Sequence, residues 1–441
     1  MKAHKWKYHL FCADCGEDVG QFSSWFADNQ QCPSCGHNIA EVEYSDGYDE
    51  LGTVIEETIN PDSLWNYHQF LPLEDQAHVI SFGEGAAPID RWEFLEEFAQ
   101  EHLDIECEIY AHRNDLNPAT GTFKDLAGTV VASVMNENDR EAYVVASTGN
   151  TAVAYSKYLS AAGIDVYAFI PEYSSKLQVA EVGIFGQKLF RVQGDYEDAK
   201  DMAKKFAREH DFLLAAGNFD PMRIEAKKTM VYEWLRQLGK LPTVYCQALS
   251  GGTGPLGIAK ACHELHQAGI SAELPRQLLV QTNKCSPMAD AWADAKAAGF
   301  PDGWEYDYPV YKNPESLIAT LTTGDPKTYP KISRLVRESD GEIIAYDETR
   351  AVDVARLVAY ETAVVMGPAA AIPVGGFIQS LQNGFIENGD LVMLNIGEGM
   401  RRAPEFMEET IYTSRDVSTS ADTELFHRKD LRNQLWQAIY E

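Results

Sequence analysis

Ala142-Tyr-Val-Val-Ala146, then Ser147-Thr-Gly-Asn150, then Thr151-Ala-Val-Ala-Tyr-Ser-Lys-Tyr-Leu-Ser-Ala-Ala162 closed by Gly163, is the stretch that decides the fold. The first five residues are apolar, with β-branched and aromatic side chains, and predict a strand. A short polar turn follows, and Asn150 to Ala162 reads as a helix that Gly163 stops. Asp165-Val-Tyr-Ala-Phe-Ile170 is the next strand, closed by Pro171. The same rhythm continues through Lys188-Leu-Phe-Arg-Val192, a helix over Tyr196 to Glu209, and Phe212-Leu-Leu-Ala-Ala216. Strand, helix, strand in repetition predicts a parallel sheet covered by helices.

A second series lies further on. It comprises Thr243-Val-Tyr-Cys-Gln-Ala-Leu249, a helix from about Leu256 to Ala268, Gln277-Leu-Leu-Val-Gln281, Glu342-Ile-Ile-Ala345 and Asp390-Leu-Val-Met-Leu-Asn395. The expected fold class is therefore α/β, with two parallel-sheet units. Residues 46–125 and 241–441 are expected to form the larger, residues 126–240 the smaller, and residues 1–45 a separate N-terminal module. The tail from Glu408 is expected to pack as surface helix. The uncharged stretch between Glu361 and Glu387 holds Gly367, Pro368, Pro373, Gly375, Gly376 and Gln379. Those interruptions favour a buried helix over a membrane span.

The N-terminal module is read from its cysteines. Cys12-Ala-Asp-Cys15 and Cys32-Pro-Ser-Cys35 are two C-x2-C pairs, 16 residues apart, a spacing that suits a four-thiolate structural zinc site. Gly16 and Gly36 each follow a pair and allow the turn that aims backbone N–H groups at the sulfurs. His37 is left out, because four thiolates complete a tetrahedron. Disulfides are the competing reading. The other four cysteines, Cys107, Cys246, Cys262 and Cys285, stand singly, as in a reducing compartment.

Length and charge bound the function. The chain has 441 residues and a formal net charge of −30, from 37 Lys and Arg against 67 Asp and Glu. That excess opposes a broad grip on nucleic acid, which needs cations to neutralise phosphates. No apolar signal segment follows Met1-Lys2-Ala3-His4-Lys5-Trp6, so a cytoplasmic protein without a membrane partner is expected.

Three glycine-bearing segments end strands: Ala146-Ser-Thr-Gly-Asn-Thr151, Ser250-Gly-Gly-Thr-Gly254 and Asn395-Ile-Gly-Glu-Gly399. The first two precede helices, where backbone N–H groups can hold a carboxylate or phosphate. Asn117-Pro-Ala-Thr-Gly-Thr-Phe-Lys124-Asp125 adds one Lys between an aromatic ring and an acid. If buried, its amine could serve as a Schiff-base nucleophile; alone, it could equally be a surface Lys that starts a helix.

Taken together, these segments resemble threonine synthases, pyridoxal-phosphate enzymes with the tryptophan-synthase-β fold. Asn117 to Asp125 is similar to the family's N-P-T-G-S-F-K-D, and Ala146 to Thr151 to its S-[ST]-G-N-T loop. Gly217-Asn-Phe-Asp-Pro-Met-Arg-Ile-Glu225 with Lys228-Thr229 resembles N-S-x-N-P-x-R-x-E-G-Q-K-T, and Lys312-Asn-Pro-Glu-Ser316 resembles G-N-P-x-S. Many members also open with a Cys-rich piece. The resemblance implies that Lys124 carries pyridoxal 5′-phosphate. It places Phe123, Asn150, Ser250, Gly251, Gly252, Thr253, Gly254 and Asn395 around the cofactor, in the larger unit. It places Ser147, Thr148, Gly149, Thr151, Asn218 and Arg223 at the substrate, Arg223 on the leaving phosphate. Lys228 is open between a substrate contact and a plain helix position. A homodimer is expected because relatives of this fold type usually dimerise.

The chain also departs from the pattern. Leu126 replaces an Arg, Gly217-Asn218 replaces Asn-Ser, and Ile396 aligns with the Thr whose hydroxyl meets the cofactor's ring nitrogen. Leu394-Asn-Ile-Gly-Glu-Gly399 and the Ser250–Gly254 loop look more like cysteate synthase. The leading expectation is conversion of O-phosphohomoserine and water to threonine and phosphate. The alternative is β-replacement on O-phosphoserine by sulfite, giving cysteate. Two further readings are a dehydratase of free Ser or Thr, which Arg223 opposes, and a non-catalytic sensor or adaptor, which Ile396 keeps open.

Overall fold

A computed structural model of the chain describes residues 5–147, 149–270, 273–409, 418–419 and 428–440. Three sheets organise it. The first is antiparallel, in the order β2-β1-β3, from β1 (Tyr8–Cys12), β2 (Asp18–Gly20) and β3 (Ala40–Tyr44). In β3, Ala40, Val42 and Tyr44 face inward while Glu41 and Glu43 face out, the alternation of a sheet with one wet side.

The second sheet uses β4 (Ile89–Arg91), β5 (Glu108–His112), β10 (Val244–Ala248), β11 (Arg276–Thr282), β12 (Glu342–Tyr346) and β13 (Leu391–Asn395). Its order is β12-β11-β10-β13-β5-β4, parallel except for the edge strand β4. The third uses β6 (Ala142–Ala146), β7 (Asp165–Pro171), β8 (Lys188–Val192) and β9 (Leu213–Leu214), all parallel, in the order β8-β7-β6-β9. The opening stretch is thus β6 and the helix Asn150–Ala161. Phe212 to Ala216 contributes only two strand residues. β4 carries too few residues to declare a period, and β5, as long as β6, has only Ile-Tyr-Ala between Glu108 and His112. The expected boundary at 125/126 falls inside the helix Lys124–Glu137, which packs in the same apolar core as the N-terminal sheet.

The uncharged stretch forms the helix Pro368–Gln382, buried against the large sheet. Among the described residues, no helix is long and apolar enough to cross a membrane. Beyond Glu408, Arg428–Tyr440 is helical and turns Leu435 and Ile439 into the core. The rest of the tail lies outside the described residues, apart from 418–419.

The four expected metal ligands converge. The sulfurs of Cys12, Cys15, Cys32 and Cys35 all lie within 4.8 Å of one another. Cys12 and Cys35 are 3.5 Å apart and Cys15 and Cys32 3.6 Å, close to the edge of a tetrahedron with zinc–sulfur bonds of about 2.3 Å. Gly16 and Gly36 hold φ near +73° and +75°, and each donates its N–H back to the first Cys carbonyl of its pair. The residues therefore fit a structural metal.

This module is docked through charge. The Tyr44 hydroxyl donates to Glu225 Oε2 at 2.7 Å, and Lys260 Nζ donates to the Val42 carbonyl at 2.6 Å. Behind them Lys228 pairs with Glu225 and Glu264, and Lys260 pairs with both acids at 3.4 and 3.2 Å. Glu225 and Lys228 belong to the helix Pro221–Leu238, Lys260 and Glu264 to Thr253–Gln267. If a metal holds the knuckles, chelation or Cys15→Ser should lower the melting temperature and speed amide exchange in Pro221–Leu238. Metal analysis with hydrogen exchange reads both; an unchanged helix after metal loss would separate the knuckles from the docking.

Candidate active site

The site lies at the carboxyl ends of the strands, where helices begin, the place open parallel sheets reserve for ligands. Asn117 starts its construction. Its Oδ1 accepts the Gly85 N–H at 2.9 Å and its Nδ2 donates to the Asn114 carbonyl at 2.9 Å. Asp125 closes the same turn, accepting the Thr120 N–H at 2.8 Å and the Thr120 hydroxyl at 2.5 Å. Burial raises its carboxyl to about 6, opposed by those hydrogen bonds. Lys124 is thereby fixed as the first residue of Lys124–Glu137. Leu126, where the resemblance leads one to expect Arg, packs in the core.

One cavity is lined by Lys124, Phe123, Asn150, Asn218, the whole Ser250–Gly254 loop and Asn395. Gln247, Thr320 and Glu398 join them. The loop is a cradle that side chains would fill. A Cβ on Gly251 would overlap the Asn218 amide, and one on Gly254 would sit 2.2 Å from Gln247 Oε1. Gly252 adopts φ +82°, and Thr253 opens a 15-residue helix whose N-terminal N–H groups suit a phosphate. Burial, and next the charge of Arg223, bring the Lys124 ammonium down from 10.5 to about 7, with Glu398 opposing. A phosphate cradle facing a buried amine of low basicity fits pyridoxal phosphate.

Ile396, aligned with a ring-contacting hydroxyl, turns instead into the apolar core of the large sheet. Asn395, one residue earlier on β13, faces the cavity and accepts from Asn114 Nδ2 at 3.0 Å.

The substrate set divides. Ser147 Oγ accepts the N–H groups of Gly149 at 3.0 Å and Ala152 at 3.3 Å, and so caps the Asn150–Ala161 helix. Gly149 holds φ +154°, and a Cβ there would collide with the Gln178 amide. Thr151 is half-buried in the helix; Thr148 lies outside the described residues. Arg223 is buried, donates from Nη1 to the Gly217 carbonyl at 2.7 Å, and keeps a buried Nε without a partner. Asp220 caps its helix through the Met222 N–H, with Pro221 at the first turn.

Lys228 is corrected. It is fully buried among Glu225, Glu264 and Tyr44, on the side of its helix that meets the N-terminal module. Lys227 points to the site instead. Its Nζ donates to the Phe123 carbonyl, and it and Lys124 Nζ lie 3.8 and 4.4 Å from the Phe123 ring centre. Burial first, then the charges of Lys124 and Arg223, hold Lys227 well below its ordinary range. One helical residue is about 100° of rotation, so the adjacent lysines leave the helix on different sides. Glu398 was also missed as a site residue, because only burial beside Lys124 distinguishes it from any loop acid.

The depressed Lys124 gives a signed prediction. With an unfolded value of 10.5 and a folded value of about 7, the unfolded chain binds the extra proton between them. Cofactor-free protein should lose up to about 1.4 kcal/mol per pH unit on acidification through that window. Lys124→Met should lack that component in urea unfolding; identical slopes would count against a depressed amine.

The pattern of the family described as "Pyridoxal-phosphate dependent enzyme" matches residues 80–397. The threonine synthase of Methanocaldococcus jannaschii is 28% identical over 390 residues, 84% of this chain and 92% of that protein. The cysteate synthase of Methanococcoides burtonii is 25% identical over 440 residues, 99% of this chain and 98% of that protein. Among solved structures, the cysteine synthase of Entamoeba histolytica aligns with TM-score 0.58 at 16% identity, covering 80% of this chain and 93% of that one. The diaminopropionate ammonia lyase of Escherichia coli aligns with TM-score 0.60 at 13% identity, over 81% and 95%. Family pattern, relatives and fold agree with the site: the chain belongs to the pyridoxal-phosphate-dependent enzymes, in a threonine-synthase-like group.

Proposed function

We propose that this enzyme releases phosphate from a phosphorylated amino acid and adds a nucleophile. The leading reaction is O-phosphohomoserine plus water to threonine plus phosphate. The observation that carries it is the buried Arg223, whose Nε has no partner and whose charge reaches Lys124. A buried guanidinium N–H left free is costly unless an anion meets it.

The Ser250–Gly254 loop and the N-terminus of Thr253–Gln267 would hold the cofactor's phosphate. Lys124 would be its attachment point, with Phe123, Asn150 and Asn395 around its ring. Pyridoxal phosphate, when bound, supplies the electron sink that makes a substrate α-proton removable. Lys124, whose ammonium is lowered to about 7 so that a large share is free amine near neutral pH, takes that proton. With Ser147 capping Gly149 and Ala152, the first-turn N–H groups at Asn150 and Thr151 would meet the substrate carboxylate, and Arg223 would hold the departing phosphate.

The second reading, sulfite on O-phosphoserine, is favoured by one observation. The cysteate synthase match runs over 99% of this chain, N-terminal module included. We propose further that a structural zinc fills the four thiolates, and that the protein is a cytoplasmic homodimer.

Purified protein is assayed for phosphate and amino-acid product with O-phosphohomoserine, then with O-phosphoserine and sulfite. Threonine with phosphate supports the first reading and cysteate with phosphate the second; phosphate from neither overturns both. Arg223→Gln should lower kcat/KM for the phosphorylated substrate by about 10- to 100-fold, the worth of a charged hydrogen bond. Its effect on a free amino acid should be small; equal losses would remove Arg223 from the phosphate.

A further inference from the structure

We propose that Glu398 is the proton partner of Lys124. No ion pair joins the two side chains directly among the described residues, so the transfer runs through one water in the cavity. The proton leaves Lys124 Nζ, which keeps its lone pair, for that water, and the water passes one of its own protons to a Glu398 carboxylate oxygen. Ammonium plus carboxylate become amine plus carboxylic acid, and the pair carries no net charge before or after. The reverse transfer recharges both.

Geometry supports this in three ways. First, Glu398 is the only acidic side chain among the described residues lining the cavity, and Lys124 lines the same cavity. Second, the two segments are tied together by backbone. Phe123 donates its N–H to the Gly397 carbonyl at 3.0 Å, and Thr122 forms an antiparallel bridge with Glu398. Third, the carboxyl is oriented. Its Oε1 accepts the Ala369 N–H at 2.9 Å, its Oε2 accepts Asn150 Nδ2 at 2.7 Å, and its stem packs against Gly367.

The charged groups around the pair leave few alternatives. From Pro221–Leu238, Arg223 faces Lys124, and Lys227 lies beside it; the first stays protonated and the second is already pressed toward neutrality. From Met400–Arg402, Arg402 faces Glu398, but its Nη1 is bound to Glu181 Oε1 at 2.6 Å. Asp125, on the helix of Lys124, is spent on Thr120. Burial raises Glu398 and lowers Lys124, so the proton affinities of the two groups approach each other, the condition for exchange in either direction. A helix-capping role alone would need only the Ala369 contact.

The inference rests on Lys124 as the cofactor's attachment point and is independent of which substrate is phosphorylated. The test is the pH midpoint of the visible band of the cofactor-loaded protein, for wild type, Glu398→Gln and Glu398→Asp. A facing carboxylate stabilises the protonated nitrogen, so its loss should move the midpoint down, by about one unit or more. Glu398→Asp should restore most of it. A Glu398→Gln midpoint equal to wild type overturns the proposal. Should Glu398→Gln fail to load, the full-length cofactor-free protein is titrated with pyridoxal and cyanoborohydride, and modified Lys124 is read by peptide mass. The same downward shift is expected there, and no shift is again fatal. Lys124→Ala separates the premises: a visible band that survives it removes Lys124, whereas absent phosphate release with a shifted midpoint removes only the proposed substrate.

Discussion

A half-buried lysine amine, recessed in a cavity at the first turn of a helix, is the constraint on which this site depends. Lys124 begins Lys124–Glu137, where the helix dipole already disfavours positive charge. Arg223 disfavours it further. A chain tolerates such a residue only where its surroundings are fixed. The Asn117 and Asp125 hydrogen bonds on one side, and the Gly397 carbonyl on the other, fix the turn that delivers it. The glycines of the facing loop then serve as missing volume, because each absent Cβ is space that the Asn218 or Gln247 amide occupies.

Much of this was legible in residue order, and the reason is local. The strands β6, β7 and β8 are short apolar runs cut off by turn residues, and their limits emerge nearly as read. The cysteine spacing is likewise local, and the sulfurs meet. The errors share another origin. Lys227 and Lys228 are adjacent letters, yet which one reaches Phe123 beside Lys124 depends on what packs against each side of Pro221–Leu238. Asn395, expected at the cofactor, does line the cavity; it ends β13, whose two covered faces leave no polar signal to separate it from the Ile396 that follows. Glu398 owes its place to contacts with Ala369 and Asn150, the latter 248 positions away. No window of sequence contains such a contact.

Asn150 shows how one side chain joins several parts. Its Nδ2 donates to Glu398, while its Oδ1 meets Gln178 Nε2 and Arg402 Nε, each at 3.4 Å. The amide is thus oriented from the small-sheet helices and from the loop after β13 together. A shift of one unit against the other would be felt first at this amide.

The charges beneath the N-terminal module have a consequence for its part in the architecture. Lys228 and Lys260 against Glu225 and Glu264 balance among themselves. The module meets them with the Tyr44 hydroxyl and the Val42 carbonyl, while its Glu41 carboxylate and Lys7 ammonium act on Lys260 and Lys228 from farther off. It works as a gasket over the quartet. Its removal would hydrate the seam between two helices, and each of those helices starts at the ligand cavity. A small sheet remote from the chemistry can therefore set how dry the rear of the site stays.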